Sequence, residues 1–291
     1  MGGFLNHILG YARNEDRIRA VYLGGSRTDP SVAPDPFQDY DVVFVVDDPT
    51  VFISDQSWID NIGKPAMVQE PDKPEYGWGQ EEDGKLGYAW LMILDSGIRI
   101  DLGIQAITIC LDRFMEDDLH RVLLDKDGLL PTDHISSGAT FWHKPPTENE
   151  YLACCNEFWW CLNNVAKANA RGQYPMAVSS LESPVRDMLM EMLGWYTGMR
   201  HDWRVSIGKQ GKFLGDLLSA EDFAQVCATY PHADRDDIWR AIHAITILFR
   251  QIAVAVGDAQ GFTYPAQWDE SVSAWLAAME RGELPGEMQL P

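Results

Sequence analysis

The chain has 291 residues and carries 44 acidic against 23 basic side chains, which gives a formal net charge of −21. This excess of acid disfavours nucleic-acid partners, because contacts with a phosphate backbone require Lys or Arg. Hydrophobic residues make up 46% of the sequence, as in folded globular proteins. The longest apolar run, residues 89–94, is far shorter than the roughly 20 residues of a membrane span.

The first half alternates helix-like and strand-like segments. A helix is predicted over residues 6–16, and strands over 19–23 and 40–46, the second being a Val-rich run typical of a buried strand. The elements predicted next are a helix over 52–62, a strand over 66–69, an exposed loop over 72–87, a hairpin of strands 88–94 and 98–105, a helix over 111–120 and a strand over 122–124. Together they predict a mixed sheet with helices.

The pattern changes after Lys144-Pro145-Pro146, which we interpret as a linker. Helices are predicted over 149–170, 184–198, 211–218, 220–229, 236–256 and 266–281. We therefore predict an α+β protein, with a mixed-sheet domain over residues 1–146 and an all-α helical bundle over 147–291. The five cysteines form no Cys-x-x-Cys pair, which predicts buried free thiols in the cytoplasm.

Two strands of the first half carry carboxylates that indicate metal chemistry. Asp39 and Asp41 flank Tyr40 at the start of the Val-rich strand, so their side chains project to one face. Adjacent carboxylates repel each other unless a cation lies between them, although an Asp-x-Asp at a strand start is also ordinary turn chemistry. Asp101 lies among apolar residues, where a carboxylate must be exposed, paired or metal-bound. Three such carboxylates suit Mg²⁺ and phosphoryl displacement.

A glycine-rich turn, Gly24-Gly25-Ser26-Arg27, follows the first predicted strand. Such a turn allows backbone N–H groups to approach a phosphate, with the Ser26 hydroxyl as a further donor. Arg27 is expected either to balance phosphate charge or to form a structural ion pair. The order of strand, Gly-Ser turn, Asp-x-Asp and a later Asp matches the signature of the nucleotidyltransferase superfamily, which includes polymerase-β-like enzymes.

Longer stretches resemble the aminoglycoside 6-adenylyltransferases, also called streptomycin adenylyltransferases. The similar segments cover nearly the whole chain in order: 25–30, 37–43, 90–93, 99–102, 124–129, 154–160, 208–212 and 229–239. The resemblance implies a polymerase-β-like first domain that transfers AMP from ATP, with Mg²⁺, to a hydroxyl of streptomycin. The 6-hydroxyl is the expected acceptor, pyrophosphate the expected product and antibiotic resistance the expected outcome.

The resemblance also implies roles for particular residues. Asp39, Asp41 and Asp101 match the metal and catalytic carboxylates, and the turn at Gly25, Ser26 and Arg27 matches the triphosphate-binding turn. In the second half, Lys209 and Lys212 would neutralise the β- and γ-phosphates, unless they are solvated surface lysines.

Acidic and aromatic side chains of the helical half suit a cationic drug. Glu182 lies where the family tends to have Asp, and it is a candidate base or drug-binding residue, or simply a helix N-terminal acid. Glu157 and Trp160 combine a carboxylate with an aromatic ring, as the guanidinium groups of streptomycin require, although Trp160 also suits a core position. His201 is a further candidate for substrate binding.

Two alternatives stay open from the sequence. One is a nucleotidyltransferase for another aminoglycoside or a small hydroxylated cation, and the other is a non-catalytic nucleotide-binding module. The expected partners are ATP and a cationic aminoglycoside, without nucleic acid or membrane, and the expected state is a cytoplasmic monomer.

Overall fold

The structure is a computed structural model that describes residues 2–73, 87–131, 133–283 and 286. The chain divides into two compact units, Met1–Thr140 and Phe141–Pro291. This division falls slightly before the predicted linker at residues 144–146. Most of the exposed loop predicted over 72–87 lies outside the described residues.

The first unit is built on a six-stranded mixed sheet with the order β3-β4-β5-β2-β1-β6. Strands β2 and β5 run parallel, and the other neighbouring strands run antiparallel. The strands are β1 Ile18–Gly24, β2 Tyr40–Val46, β3 Pro65–Gln69, β4 Gly87–Leu94, β5 Arg99–Ala106 and β6 His120–Asp125, and the helices are α1 Gly3–Asn14, α2 Pro49–Ser54 and α3 Ile107–Arg113. The mixed sheet with helices that the sequence predicts is confirmed.

Alternating burial along β5 decides which side chains this strand leaves open to solvent. Ile100, Leu102 and Ile104 are buried in the core. Successive side chains of a strand point to opposite faces, so Arg99 and Asp101 share the less buried face. The buried face packs on an aromatic core in which Trp58 and Trp90 meet edge to face, with ring centroids 5.2 Å apart. The apolar residues around Asp101 therefore anchor the strand while its carboxylate faces away from them.

The second unit is helical, as predicted. Its longer helices pack around one core, in which Phe158 and Phe249 stack with ring centroids 3.6 Å apart. The helices are α4 Glu148–Ala170, α5 Tyr174–Ser180, α6 Arg186–Arg200, α7 Leu214–Leu217, α8 Ala220–Ala228, α9 Arg235–Gln260 and α10 Ala266–Glu280. One of these helices, α9, is long and apolar enough to cross a membrane by length and composition alone. Its buried residues belong to the core of this unit.

Some predicted elements end earlier than the sequence indicates. The helix predicted over 52–62 is interrupted: α2 ends at Ser54, because Asp55 adopts an extended conformation and its carboxylate accepts the Ser57 N–H at 3.0 Å, and a short 3₁₀ helix then spans Ser57–Asn61. The helix predicted over 111–120 stops at Arg113, and Asp117 accepts the Leu119 N–H at 2.7 Å as the chain turns into β6. In both cases an Asp side chain competes with the helical backbone for N–H groups.

The free thiols predicted from the sequence are confirmed for all five cysteines. Four of them are buried, whereas Cys227 is exposed, so the predicted burial is wrong at that position.

Candidate active site

The three carboxylates singled out from the sequence meet at one end of the first unit's sheet. Asp41 and Asp101 are register partners on the parallel strands β2 and β5. Partners on neighbouring strands project to the same face of a sheet, so the two carboxylates lie side by side. Asp39 directly precedes β2 and lies two residues before Asp41, on the same side.

Arg99 joins two of these carboxylates, a role that the sequence prediction missed. Its Nη1 lies 3.3 Å from Oδ2 of Asp39, and its Nη2 lies 3.3 Å from Oδ2 of Asp101. These contacts, led by the hydrogen bond with Asp101, raise the pKa of the Arg99 guanidinium. Arg99 lies two residues before Asp101 on the same strand, so both side chains project to one face. This spacing could have indicated the contact between Arg99 and Asp101 from the sequence.

The carboxylates carry unbalanced charge despite Arg99. Burial raises the pKa of Asp41, and the nearby Asp101 and Asp39 carboxylates raise it further. Oδ1 of Asp101 is buried and has no hydrogen-bond partner among the described residues. A buried acceptor without a donor is costly, so this oxygen is suited to receive a cation or a proton.

The donor set fits a Mg²⁺ ion. Within the described ranges, no group of three or more His, Cys, Asp or Glu side chains is placed to hold a metal ion in this conformation, and Arg99 bridges Asp39 and Asp101 instead. Mg²⁺ prefers oxygen ligands, which Asp39, Asp41 and Asp101 supply. The unpartnered Oδ1 of Asp101 and the raised pKa of Asp41 are both relieved by a bound divalent cation.

The predicted phosphate-binding turn, Gly25–Arg27, packs directly against Asp41. Gly25 has a φ of +64°, and a Cβ atom at this position would lie 2.1 Å from Oδ2 of Asp41. Glycine is therefore required both by the backbone conformation and by the space. The Gly25 N–H donates to the Leu119 carbonyl at 3.0 Å, so this N–H is not available to a ligand. Gly25 contributes to the site because its lack of a side chain lets the backbone approach closely. Ser26, at the tip of the turn, is half-buried.

Arg27 is bound by the protein itself. Its Nε donates to the Asp39 carbonyl at 2.7 Å, and its Nη2 donates to the Gln38 carbonyl at 2.7 Å. The guanidinium also lies 3.8 Å from the centroid of the Tyr40 ring. The sequence left two roles for Arg27, which were to balance phosphate charge or to form a structural ion pair. The contacts favour a structural role, although the partners are backbone carbonyls and not a carboxylate.

Glu182 is held by Arg186 in the second unit. Both carboxylate oxygens accept hydrogen bonds from the Arg186 guanidinium, at 2.7 and 2.8 Å. Arg186 is buried, donates to Thr229 Oγ1 at 2.7 Å and lies 3.6 Å from the Tyr230 ring centroid. Both oxygens of Glu182 are therefore already occupied by charge-assisted hydrogen bonds from Arg186.

The remaining predicted residues of the second unit have differing surroundings. Glu157 is exposed on α4 and lines a cavity. Trp160 is 68% exposed on the same helix, whereas His201 is exposed just beyond α6. Lys209 and Lys212 are both exposed, and the Lys212 ammonium lies 4.8 Å from the Phe213 ring centroid. These exposed groups are accessible to ligands, and their roles stay predictions.

Comparison with known proteins gives a consistent result along the chain. A family model described as streptomycin adenylyltransferase matches residues 3–279. The aminoglycoside 6-adenylyltransferase of Bacillus subtilis strain 168 is 32% identical over 274 residues, covering 92% of this chain and 93% of that protein. The protein of the same name from Campylobacter jejuni is 30% identical over 274 residues, covering 94% and 93%.

Among solved structures, a crystal structure of an aminoglycoside 6-adenyltransferase from Bacillus subtilis aligns with a TM-score of 0.47 at 28% sequence identity, covering 95% of this chain and 97% of that one. The family resemblance inferred from the sequence motifs is confirmed by the match over residues 3–279. The chain belongs to the streptomycin adenylyltransferase family and is an enzyme of the nucleotidyltransferase class.

Proposed function

We propose that this enzyme transfers AMP from ATP to the 6-hydroxyl of streptomycin, releases pyrophosphate and thereby confers resistance. The observation that carries the proposal is the pairing of Asp41 with Asp101 on parallel strands, with the Gly25 turn packed against Asp41. In the reaction, the acceptor oxygen forms a bond with the α-phosphorus, the bond from that phosphorus to the bridging oxygen breaks, and pyrophosphate leaves with the electron pair.

Asp39, Asp41 and Asp101 are the residues that would hold Mg²⁺. When bound, the metal supplies charge stabilisation to the phosphate oxygens. The protein's own contribution starts at the turn, where the Ser26 hydroxyl donates to a phosphate oxygen and Gly25 permits close approach. Lys209 and Lys212 are proposed as further contacts of the triphosphate.

Asp101 is the proposed acceptor of the hydroxyl proton. Oδ1 of Asp101 has no donor among the described residues and Oδ2 contacts Arg99 at 3.3 Å, so one oxygen is available to the proton while the other would hold the metal. Both oxygens of Glu182, in contrast, are bound to Arg186. A general base requires an oxygen that is free to reach the proton. Glu182 is accordingly proposed as a structural acid that Arg186 positions.

The acidity of the chain is consistent with a cationic substrate. A net charge of −21 raises the local concentration of cations at low ionic strength. We include in the proposal that the enzyme is a monomer in the cytoplasm, where ATP is available. Light scattering after size-exclusion chromatography measures the molar mass in solution and so tests whether the enzyme is a monomer.

The decisive experiment is mass spectrometry of streptomycin after incubation with the enzyme, ATP and Mg²⁺. The expected product carries one AMP, and NMR identifies the modified hydroxyl. A parallel assay measures release of pyrophosphate. The Asp41→Asn variant is the matched control and should give no product.

A panel of aminoglycosides tests the choice of substrate. Modification of kanamycin or spectinomycin without modification of streptomycin would contradict streptomycin as the substrate, while leaving adenylyl transfer intact. Turnover without added divalent cation and in the presence of EDTA would contradict the role given to Mg²⁺.

A further inference from the structure

A cavity of about 640 Å³ lies within the second unit, and all of its lining residues belong to that unit. Its walls come from α4, from α6 and from the segment 142–146 that precedes α4. The volume falls in the range of about 300–1,000 Å³ that small-molecule sites occupy. Of the residues predicted from the sequence to bind substrate, only Glu157 is among those that line it.

The two helices each present one face to the cavity. The lining positions lie three and four residues apart along each helix, which is the spacing of a single helical face. On α4 they include Glu150, Cys154 and Glu157, and on α6 they are Met188, Glu191 and Trp195. The Cys154 thiol donates to the Met188 carbonyl at 3.3 Å, so the helices are in contact beneath the cavity.

The third wall is fixed by His143. Its backbone N–H donates to the Val205 carbonyl at 3.0 Å, and its Nε2 accepts the Ile207 N–H at 3.4 Å. The imidazole packs on Gly194 of α6, where a Cβ atom would lie 2.4 Å from the ring. Burial lowers the pKa of His143, and an Nε2 that accepts a hydrogen bond is unprotonated. These contacts hold His143 in place, and its lowered pKa favours the neutral imidazole.

The lining carries an excess of negative charge. Three glutamates face one basic residue, Lys144, among the described residues of the lining. The Glu191 side chain is partly exposed at the cavity. Partial burial raises the pKa of Glu191, and the Glu150 carboxylate raises it further. Glu157 accepts a hydrogen bond from the Cys161 thiol at 3.2 Å, and a thiol is a weak donor.

Two indole rings complete the cavity. Trp142 contributes from the segment before α4, and Trp195 contributes from α6. Aromatic faces bind planar guanidinium groups, and carboxylates bind their N–H donors. Acidic and aromatic side chains around one preformed cavity together select for a delocalised cation over a neutral sugar or an anion.

We propose that this cavity is the binding site for a guanidinium group of the aminoglycoside substrate, with Glu157 and Glu191 as its anionic contacts and Trp142 and Trp195 as its aromatic walls. The inference rests on the proposed function for the identity of the ligand. It assigns substrate binding to Glu191 and the two tryptophans, which the sequence did not single out, and it gives no role to Trp160 or His201.

Calorimetric titration of the complete chain with streptomycin, without ATP, tests the site directly. Glu157→Gln and Glu191→Gln should each weaken binding about tenfold, because each removes a charge-assisted contact while preserving shape. Glu270→Gln, an exposed acid on α10 that does not line the cavity, is the charge-matched control and should bind as the wild type does. Thermal unfolding of each variant confirms that the fold is intact.

The outcomes separate the site from the reaction. Adenylylation of streptomycin by variants at residues 157 and 191 with unchanged binding would overturn the cavity site and leave the proposed function standing. Failure of the wild-type chain to bind streptomycin at all would also overturn it. Binding that weakens in both variants but not in the control supports the site, even if no AMP is transferred and the proposed function fails.

Discussion

Gly25 and Asp41 lie so close together that a single methyl group on Gly25 would stand 2.1 Å from the Asp41 carboxylate. We expect Gly25→Ala to lower activity at least tenfold, since the clash displaces a proposed metal ligand, and to destabilise the fold by about 1–2 kcal/mol through its positive φ. Gly97→Ala is the matched control, because Gly97 has a φ of +80° with nothing within 4 Å. Equal losses of activity in both variants would attribute the effect to backbone strain alone. Steady-state kinetics and thermal unfolding measure the two effects.

Replacement of Asp41 should stabilise the metal-free protein while abolishing catalysis. Folding raises the pKa of this carboxyl, so its favourable contribution exists while it is protonated, below its pKa in the unfolded chain. That contribution is lost as the pH rises through the raised value. We expect Asp41→Asn to increase the Tm in EDTA at pH 7–8 by roughly 3 °C and to have a smaller effect near pH 4.

The same variant should lose activity about a thousandfold or more and should gain no thermal stability from Mg²⁺. Unfolding scans with EDTA or with Mg²⁺ across this pH range provide the measurement. A lower Tm for Asp41→Asn at pH 8 would contradict the charge repulsion described for this site.

Arg99 should compete with a metal for the carboxylates. We expect Arg99→Gln to lower the Tm of the metal-free protein, because Asp39 and Asp101 lose their counter-charge. The affinity for Mg²⁺ or Mn²⁺ should increase about two- to fivefold, because the metal no longer competes with Arg99 for the carboxylates. The increase is small because exposed ion pairs are weak. Arg17→Gln, which removes an exposed pair with Glu15, is the control. Calorimetric metal binding that is weaker in Arg99→Gln would show that Arg99 supports the metal site instead.

Glu182 and Asp101 should differ sharply in their effect on turnover. We expect Glu182→Gln to reduce kcat less than tenfold and to destabilise the fold by about 1 kcal/mol, since Arg186 loses a partly exposed partner. Asp101→Asn should lower kcat about a thousandfold or more, because it removes the proposed proton acceptor. If Glu182→Gln instead lowers kcat as much as Asp101→Asn does, with an unchanged Tm, Glu182 is the base.

Thiol labelling provides an independent test of the fold. Burial raises the pKa of Cys110 and Cys161 to about 11 and that of Cys155 to about 12. Cys227 is exposed, so it should react rapidly with a thiol reagent in the native protein, while Cys110, Cys155 and Cys161 react only after unfolding. Cys154 lines the cavity of the second unit, so a small reagent should reach it more slowly in the native protein. Cys227→Ser should eliminate the fast phase. Rapid reaction of Cys110, Cys155 or Cys161 in the native protein would contradict the packing of α3 or α4.

The local patterns of the chain were sufficient to predict individual strands and the carboxylate group. The Val-rich run predicts β2 with its observed bounds, and the spacing of Asp39 and Asp41 places both side chains on one face. That Asp101 joins Asp39 and Asp41 in one site was a hypothesis, and its register pairing with Asp41 was not predicted, because nothing local specifies that β2 and β5 are neighbours. Arg99 escaped notice for the same reason, since its contact with Asp39 exists only once these strands pair.

The cavity in the helical unit was harder to predict. Glu191 and Trp195 are ordinary positions of an amphipathic helix until α4 lies opposite them. The environment of Glu182 also depends on tertiary contacts. Its pairing with Arg186 follows from helical spacing, but the burial of Arg186 against Thr229 cannot be predicted from that spacing. Contacts within one helix or strand can be predicted from residue spacing in the sequence. Contacts between two elements can be recognised only once the fold shows which elements are neighbours.

Arg27 has a consequence for the thermodynamics of nucleotide binding. Its hydrogen bonds to the carbonyls of Gln38 and Asp39 tie the glycine turn to the segment that enters β2. The entropy of ordering these two segments relative to each other is therefore lost when the protein folds and not when ATP arrives. Because we propose that this turn contacts the triphosphate, we expect its preorganisation to reduce the conformational cost of binding ATP, so that more of the binding free energy is retained as affinity.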